Sequence, residues 1–337
     1  MSDVAVAGAR TALRGRLGAE TQPASARLDA RRALQLVLAG IWLLDGVLQY
    51  QPFMYTKAFG QLLGDGAAGN PAVIARPITW DATLVGHHLV LLNTIFATIQ
   101  LLLGLGIAFR PTVRVALAAS VAWSLAVWWF GEGLGGVLNG GADPLNGAPG
   151  AVIIYALIAV LLWPADRAGA KAPFVAARAV GAQLARALWL VFWLSQAYFV
   201  LTPDNRAPQA ANGMIAAMNS GEPGWLASLL RGAASLVANQ GLATSVVLAV
   251  ALVLIAVGVY LPAAAARATL VLAIVLAVVV WVFAQAFGGI LASGATDPNS
   301  GPLLVLLALA YWPARSALPG TGAATAPSAD AEGNLAR

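Results

Sequence analysis

The sequence predicts an all-α integral membrane protein of eight transmembrane helices, arranged as two tandem parallel four-helix bundles with both termini on the cytoplasmic side. Three observations predict it. Of 337 residues, 60% are hydrophobic and only 10% are charged, a mixture that water-soluble domains of this size do not normally carry. Several apolar runs approach the roughly 20 residues needed to cross a hydrocarbon core of about 30 Å. Short strings recur roughly 150 residues apart, the mark of an internal duplication.

The first 32 residues carry Arg10, Arg14, Arg16, Arg27, Arg31 and Arg32 and no apolar stretch, so they read as a disordered cytoplasmic tail and not as a cleavable signal peptide. The first unit, 33–165, is expected to hold helices at 33–51, 82–109, 112–138 and 150–164. A cytoplasmic linker at 166–183 leads to the second unit, 184–313, with helices at 184–201, 242–261, 266–292 and 301–313. Residues 314–337, rich in Ala, Gly, Pro, Ser and Thr, read as a second disordered tail. The fourth and eighth helices are short, and either start earlier in the preceding loop or cross a thinned patch of bilayer. Segments 52–81 and 202–232 are expected as the two long polar loops, while Arg110-Pro111 and Leu261-Pro262 mark tight turns.

Orientation follows from the basic residues. With the N-terminus inside, only Lys57, Arg76, Arg206 and Arg231 of the 19 fall on the outer side, as the positive-inside rule requires. The net charge of +5 belongs mostly to this bias and calls for no nucleic-acid partner. The lipid bilayer is the expected partner. Arginine in place of lysine, with abundant Ala and Gly, fits a GC-rich bacterial genome, and so the bacterial cytoplasmic membrane. No cysteine is present, which excludes disulfides, iron–sulfur ligation and thiol catalysis.

The repeat pairs GNPAVIA (69–75), GEGLGGVL (131–138), GADP (141–144) and ALIAVLLWP (156–164) with GEPGWLA (221–227), AQAFGGIL (284–291), GATDP (294–298) and LLALAYWP (306–313). An even number of helices per unit makes the copies parallel. Ionisable groups inside a membrane are costly and are the default functional candidates. Asp45, His87, His88 and Glu132 are those groups, all in the first unit, and a rise of about 1.5 Å per residue places them in the outer part of the bilayer. Gln49, one turn beyond Asp45, extends the polar patch. The second unit aligns Gln196 with Asp45, Asn239-Gln240 with His87-His88, and Gln285 with Glu132. An amide keeps hydrogen-bonding shape but does not titrate. Unit one is therefore expected to hold the active site, with Glu132, Asp45 and His87 as the proton-active residues; the alternative is that the acids only satisfy neighbouring helices, as the amides do.

His87 shares a stripe with Thr83, Thr94 and Thr98, which would face it into the bundle, whereas His88 would point elsewhere, toward a substrate or the second unit. Trp128 and Trp129 would form an aromatic wall beside Glu132, suited to a quinone or lipid tail. Trp42, Trp80, Trp193, Trp225 and Trp281 read mostly as interfacial anchors. Two imidazoles and two carboxylates match some metals in ligand type, but their spacing is no metal motif, and no metal is expected. GEGLGG (131–136) fits GxGxxG formally, yet no strand precedes it, so the glycines are read as packing and turn residues around Glu132. Asp143-Pro144 and Asp297-Pro298 read as turn signals that cap the incoming helices.

The stretch GEGLGG followed by GADPLNGAPGAVIIYAL resembles the DoxX/DoxD-like superfamily of four-helix membrane proteins, and GATDPNSG looks like the same loop in the second unit. The resemblance covers one helix pair per unit and touches Glu132, Asp143 and Tyr155. It implies a quinone-linked redox role, with quinone as cofactor and a soluble or membrane redox protein as partner. A small transporter or ion-binding protein, and a non-catalytic membrane scaffold, are the other readings of the same residues.

Overall fold

The computed structural model describes residues 29–167 and 172–314. The expected tails lie almost wholly outside the described residues, as does part of the expected linker. Helix makes up 75% of the structure, and no strand occurs among the described residues. The first half contains α1 (Ala30–Leu48), α2 (Lys57–Asp65), α3 (Ala72–His87), α4 (Leu89–Ala108), α5 (Val113–Phe130) and α6 (Ala151–Leu161). The second contains α7 (Val175–Val180), α8 (Ala182–Val200), α9 (Ala210–Ala217), α10 (Gly224–Val237), α11 (Gly241–Gly258), α12 (Ala263–Phe283) and α13 (Ser300–Ala310).

Four helical stretches are long and apolar enough to cross a membrane: Leu89–Ala108, Arg110–Phe130, Gly241–Gly258 and Ala263–Ala292. Leu102, Leu105, Val115, Val247 and Val250 are exposed on them, a surface made for lipid and not for water.

Within each half the first long helix packs on the next apolar one, α1 on α4 and α8 on α11, while α5 packs on α6 and α12 on α13. Glycine sets the α1–α4 distance: a Cβ on Gly104 would meet Leu43 Cγ at 2.6 Å and the Ala39 carbonyl at 2.9 Å, and one on Gly46 would meet Leu101 at 2.7 Å. The halves join where α13 packs on α6 and α1, and one continuous core holds Trp42, Tyr155, Trp189, Trp193 and Tyr311. At the end of the bundle near α7, buried Arg31 donates to the carbonyls of Trp163 (3.3 Å) and Ala165 (3.1 Å) and to the Asp166 carboxylate. Arg178 bonds Asp166 at 3.0 Å and Asp29 at 2.7 Å. These two guanidiniums hold the Asp166 carboxyl below its ordinary range.

Several sequence expectations change. The segments 52–81 and 202–232 are helical hairpins, α2–α3 and α9–α10, and not loops. Pro71 and Pro223 start the longer helix of each, and spacings of three and four bury one face, Ile74, Ile78 and Val85 in α3 and Leu226, Leu230 and Ala234 in α10. The helix expected over 82–109 breaks at His88. The one expected over 112–138 stops at Phe130, and that over 266–292 leaves the α-helical path after Phe283, because the glycine-rich strings turn through left-handed backbone. α6 and α13 start close to the expected positions and have 11 residues each. Trp42 and Trp193 are buried core residues and not interfacial anchors, since each sits on the inward face three residues before Asp45 or Gln196. Trp80 and Trp225 are exposed.

The close α1–α4 approach predicts that Gly104→Val lowers the melting temperature in detergent by several degrees, an overpacking cost of about 1–3 kcal/mol. Gly40→Ala, on the same pair but with nothing within 4 Å of the added methyl, should leave it unchanged or raise it. Equal melting temperatures for the two variants would contradict this packing.

Candidate functional site

The polar centre of the first half is built on α1. Asp45 is 2% exposed, and its Oδ2 accepts a hydrogen bond of 2.5 Å from the Tyr155 hydroxyl on α6. Trp42, one turn earlier, lies against the Tyr155 ring at 4.3 Å between centroids, and its indole N–H donates to Ser120 Oγ on α5 at 3.0 Å. The carboxylate is thus fixed by helices from both sides of the bundle. Its second oxygen, Oδ1, has no partner, and neither have Gln49 Oε1 or Asn93 Oδ1. Asn93 is tied down by its Nδ2, which donates to the Gln49 carbonyl at 2.8 Å.

Glu132 follows α5 directly and reaches the start of α6, where its Oε1 accepts from the Val152 N–H at 3.3 Å. A carboxylate at a helix N-terminus meets both the free backbone N–H groups and the positive end of the helix dipole. Two glycines make this possible. Gly135 (φ 61°) lies against the Pro149 carbonyl, and a Cβ on Gly150 (φ 117°) would fall on the Glu132 carboxylate itself. Trp128 braces the same turn, its indole donating to the Pro149 carbonyl at 2.5 Å.

Beside Glu132 lies a cavity of about 270 Å³ with mostly polar walls, lined by Glu132, Asp143, Asn146, Asp297 and Asn299. Asp297 comes from the second half and lies within electrostatic reach of Asp45, Glu132 and Tyr155. Its oxygens accept from the Asn299 N–H (2.7 Å) and the Thr296 hydroxyl (2.8 Å). Asp143 accepts from the Leu145 N–H at 2.9 Å. Both aspartates therefore cap turns, and both present a carboxylate to the cavity. Burial pushes each of them above its ordinary value; the Leu145 N–H opposes this for Asp143, and Thr296 and the Asn299 N–H oppose it for Asp297.

Of the residues expected at the site, Glu132 lines the cavity, Trp128 braces the adjoining turn, and Asp45 lies within electrostatic reach of Asp297; Gln49, bonded to Asn93, is not part of the lining, and the histidines are not brought in. His87 and His88 are exposed at the break between α3 and α4. The threonine stripe aims His87 inward only on one unbroken helix, and the helix breaks at His88; Thr83, Thr94 and Thr98 return their hydroxyls to carbonyls four residues back. Trp129 is 38% exposed and stacks on Phe130, so the expected aromatic wall reduces to Trp128. Asp297 was missed as a site residue because an Asp-Pro turn explains it locally; the available signal was a carboxylate in the loop before the last apolar helix. Among the described residues no group of three His, Asp or Glu side chains converges as metal ligands.

The second half shows a related but uncharged arrangement. Trp281 donates to the Pro298 carbonyl at 2.7 Å, as Trp128 does to Pro149, and Gln285 donates to Ser300 Oγ at 2.8 Å at the start of α13. The tryptophan partners are thus Pro149 and Pro298. The matching strings GADP and GATDP therefore do not occupy equivalent places. Comparison with protein families, with curated proteins and with solved structures gives no match to this chain.

The raised Asp297 fixes a sign for pH dependence. Its charged form is disfavoured by folding, so folding gains stability as pH falls through the raised value toward the ordinary 3.8. Asp297→Asn, which keeps an acceptor for Asn299, should therefore raise the melting temperature at pH 7, with the difference from wild type shrinking to nothing near pH 4. A difference that stays constant from pH 7 to 4 would contradict the assignment.

Proposed function

We propose that the chain is a multi-pass protein of a bacterial cytoplasmic membrane, crossing it eight times as two tandem four-helix units with both termini inside. In this reading the first unit carries a proton-exchanging acid–tyrosine site that serves a quinone-linked redox system. The matched tryptophan–proline bonds at the ends of α5 and α12 support the duplication. The resemblance of 131–136 and 141–157 to DoxX/DoxD-like proteins supports the redox role.

One observation carries the proposal: the buried Asp45–Tyr155 bond leaves one Asp45 oxygen unpartnered, and Asp297, within electrostatic reach of both residues, lines a cavity together with Glu132 and Asp143. Quinone reduction consumes two electrons and two protons, and quinol oxidation releases them, so either direction needs a buried acid with a route to water. Asp45 and Tyr155 would hold the proton at the reacting oxygen, and Glu132 and Asp297 would pass it to and from the cavity. Electrons would be exchanged with a partner protein, because the sequence has no cysteine for iron–sulfur clusters and the described residues form no soluble redox domain. The polar walls of the cavity favour a second reading, a proton- or cation-coupled transporter using the same residues.

Titrating decylubiquinone into the protein in nanodiscs, followed by tryptophan fluorescence, tests the first reading. Saturable quenching is expected in wild type and at least ten-fold weaker binding in Asp45→Asn and Tyr155→Phe, with melting temperatures retained. Linear, equal quenching in all three would sink the quinone role. Proton uptake into pyranine-loaded liposomes that Asp45→Asn abolishes would then establish transport, and silence of Asp45→Asn and Glu132→Gln in both assays would leave a scaffold.

A further inference from the structure

A second cavity lies in the other half, among α8, α11, α12 and α13, on the opposite side of the 144–148 turn; Ala148 lines both cavities. Its enclosed part is about 30 Å³, and the whole void, open mouth included, is about 440 Å³. Leu248, Leu252, Leu276, Ala277, Val280 and Leu304 make it apolar. Three polar side chains line it, Trp193, Gln196 and Ser300, all buried, and the Ser300 hydroxyl already accepts from Gln285. The Trp193 indole N–H and the Gln196 amide N–H have no hydrogen-bond partner. They lie three residues apart on one face of α8, so they are neighbours.

The first half explains how the two donors came to be unpaired. There the indole of Trp42 is satisfied by Ser120 and the carboxylate of Asp45 by Tyr155. At the corresponding positions of the second half stand Ala273 for Ser120 and Leu304 for Tyr155, with Ala277 for Ser124. Each acceptor or donor has become aliphatic, and two of the replacements, Ala277 and Leu304, line the cavity. A buried N–H without an acceptor is destabilising, so two of them side by side call for an acceptor from outside the chain.

We propose that this cavity binds a neutral, membrane-dissolved molecule through one carbonyl-type oxygen, which accepts from Trp193 Nε1 and Gln196 Nε2 while its apolar body lies along Leu248, Leu252, Leu276 and Val280. Charge is excluded, since no ionisable side chain lines the cavity. The site is separate from the acid–tyrosine pair and does not rest on the function proposed for it.

The full-length protein with ¹⁵N-labelled tryptophan, in detergent, offers a direct readout. The Trp193 indole resonance is assigned by its loss in Trp193→Phe, and 2-decanone and decane are titrated separately. The ketone should move that resonance saturably and decane should not; Gln196→Leu should weaken ketone binding at least five-fold, and Ala277→Leu, which fills the void, should abolish the shift. The proposal is overturned if the ketone leaves the resonance in place, if decane moves it equally, or if the indole N–H shows saturation transfer from water that excess ketone does not displace. The last result would mean a resident water. The titration of the wild-type chain decides the matter even where a variant fails to fold.

Discussion

Everything in the first half is arranged around a carboxylate inside an apolar bundle. Asp45 is out of contact with solvent, and a side chain of this kind survives there only if it is hydrogen-bonded. Tyr155 supplies the bond, which commits α6 to lie against α1 at that level. Trp42 and Ser120 then fix the tyrosine ring and tie in α5. Glycines at 46 and 104 let α1 and α4 close on one another, so that the polar residues between them, Gln49 and Asn93 among them, are shut away from the lipid-facing surface. A purely aliphatic α1 would need none of this.

The short helices α6 and α13 matter as much as the long ones. With 11 residues, each covers about 16 Å at 1.5 Å per residue, half of a hydrocarbon core. Their N-termini are therefore set deep in the bundle, and the glycine-rich segments before them fold inward to meet them. Glu132 at the start of α6 and Gln285 at the start of α13 answer the same geometric need with different chemistry. Because α13 also packs on α6, the turn that precedes it brings Asp297 to the first half's acids. The polar cavity is thus made by both halves, the first supplying Glu132 and Asp143 and the second Asp297.

In the proposed reading, duplication freed one copy to change. The first copy keeps the acid, the tyrosine and the serine; the second replaces them with glutamine, leucine and alanine and opens an apolar void in the same place. Trp42 and Trp193, alike in burial, show the consequence most directly: one indole is paired and the other is not. The two cavities face each other across a single turn, and their walls differ in polarity because only a few side chains differ.

The sequence by itself determined the apolar helical character, the approximate position of the four long apolar helices, the tight turns at Pro111 and Pro262, and the candidacy of Asp45 and Glu132. Those features follow from composition, hydropathy and the cost of charge in lipid, all of which are local. It misjudged 52–81 and 202–232, where glycine, proline and asparagine look like loop residues one at a time but punctuate short amphipathic helices whose buried faces exist only against α4–α5 and α11–α12. The histidines were misplaced for a related reason: a helical wheel is valid only within one helix, and the break at His88 separates their frame from that of Thr94 and Thr98. Tertiary structure alone decided that Tyr155 meets Asp45, 110 residues away in the chain, that Asp297 crosses from the other half, and that Trp193 and Gln196 share a cavity. Contacts between distant helices depend on how ridges, glycines and short helix ends stack in three dimensions, and no pattern along a single segment encodes that.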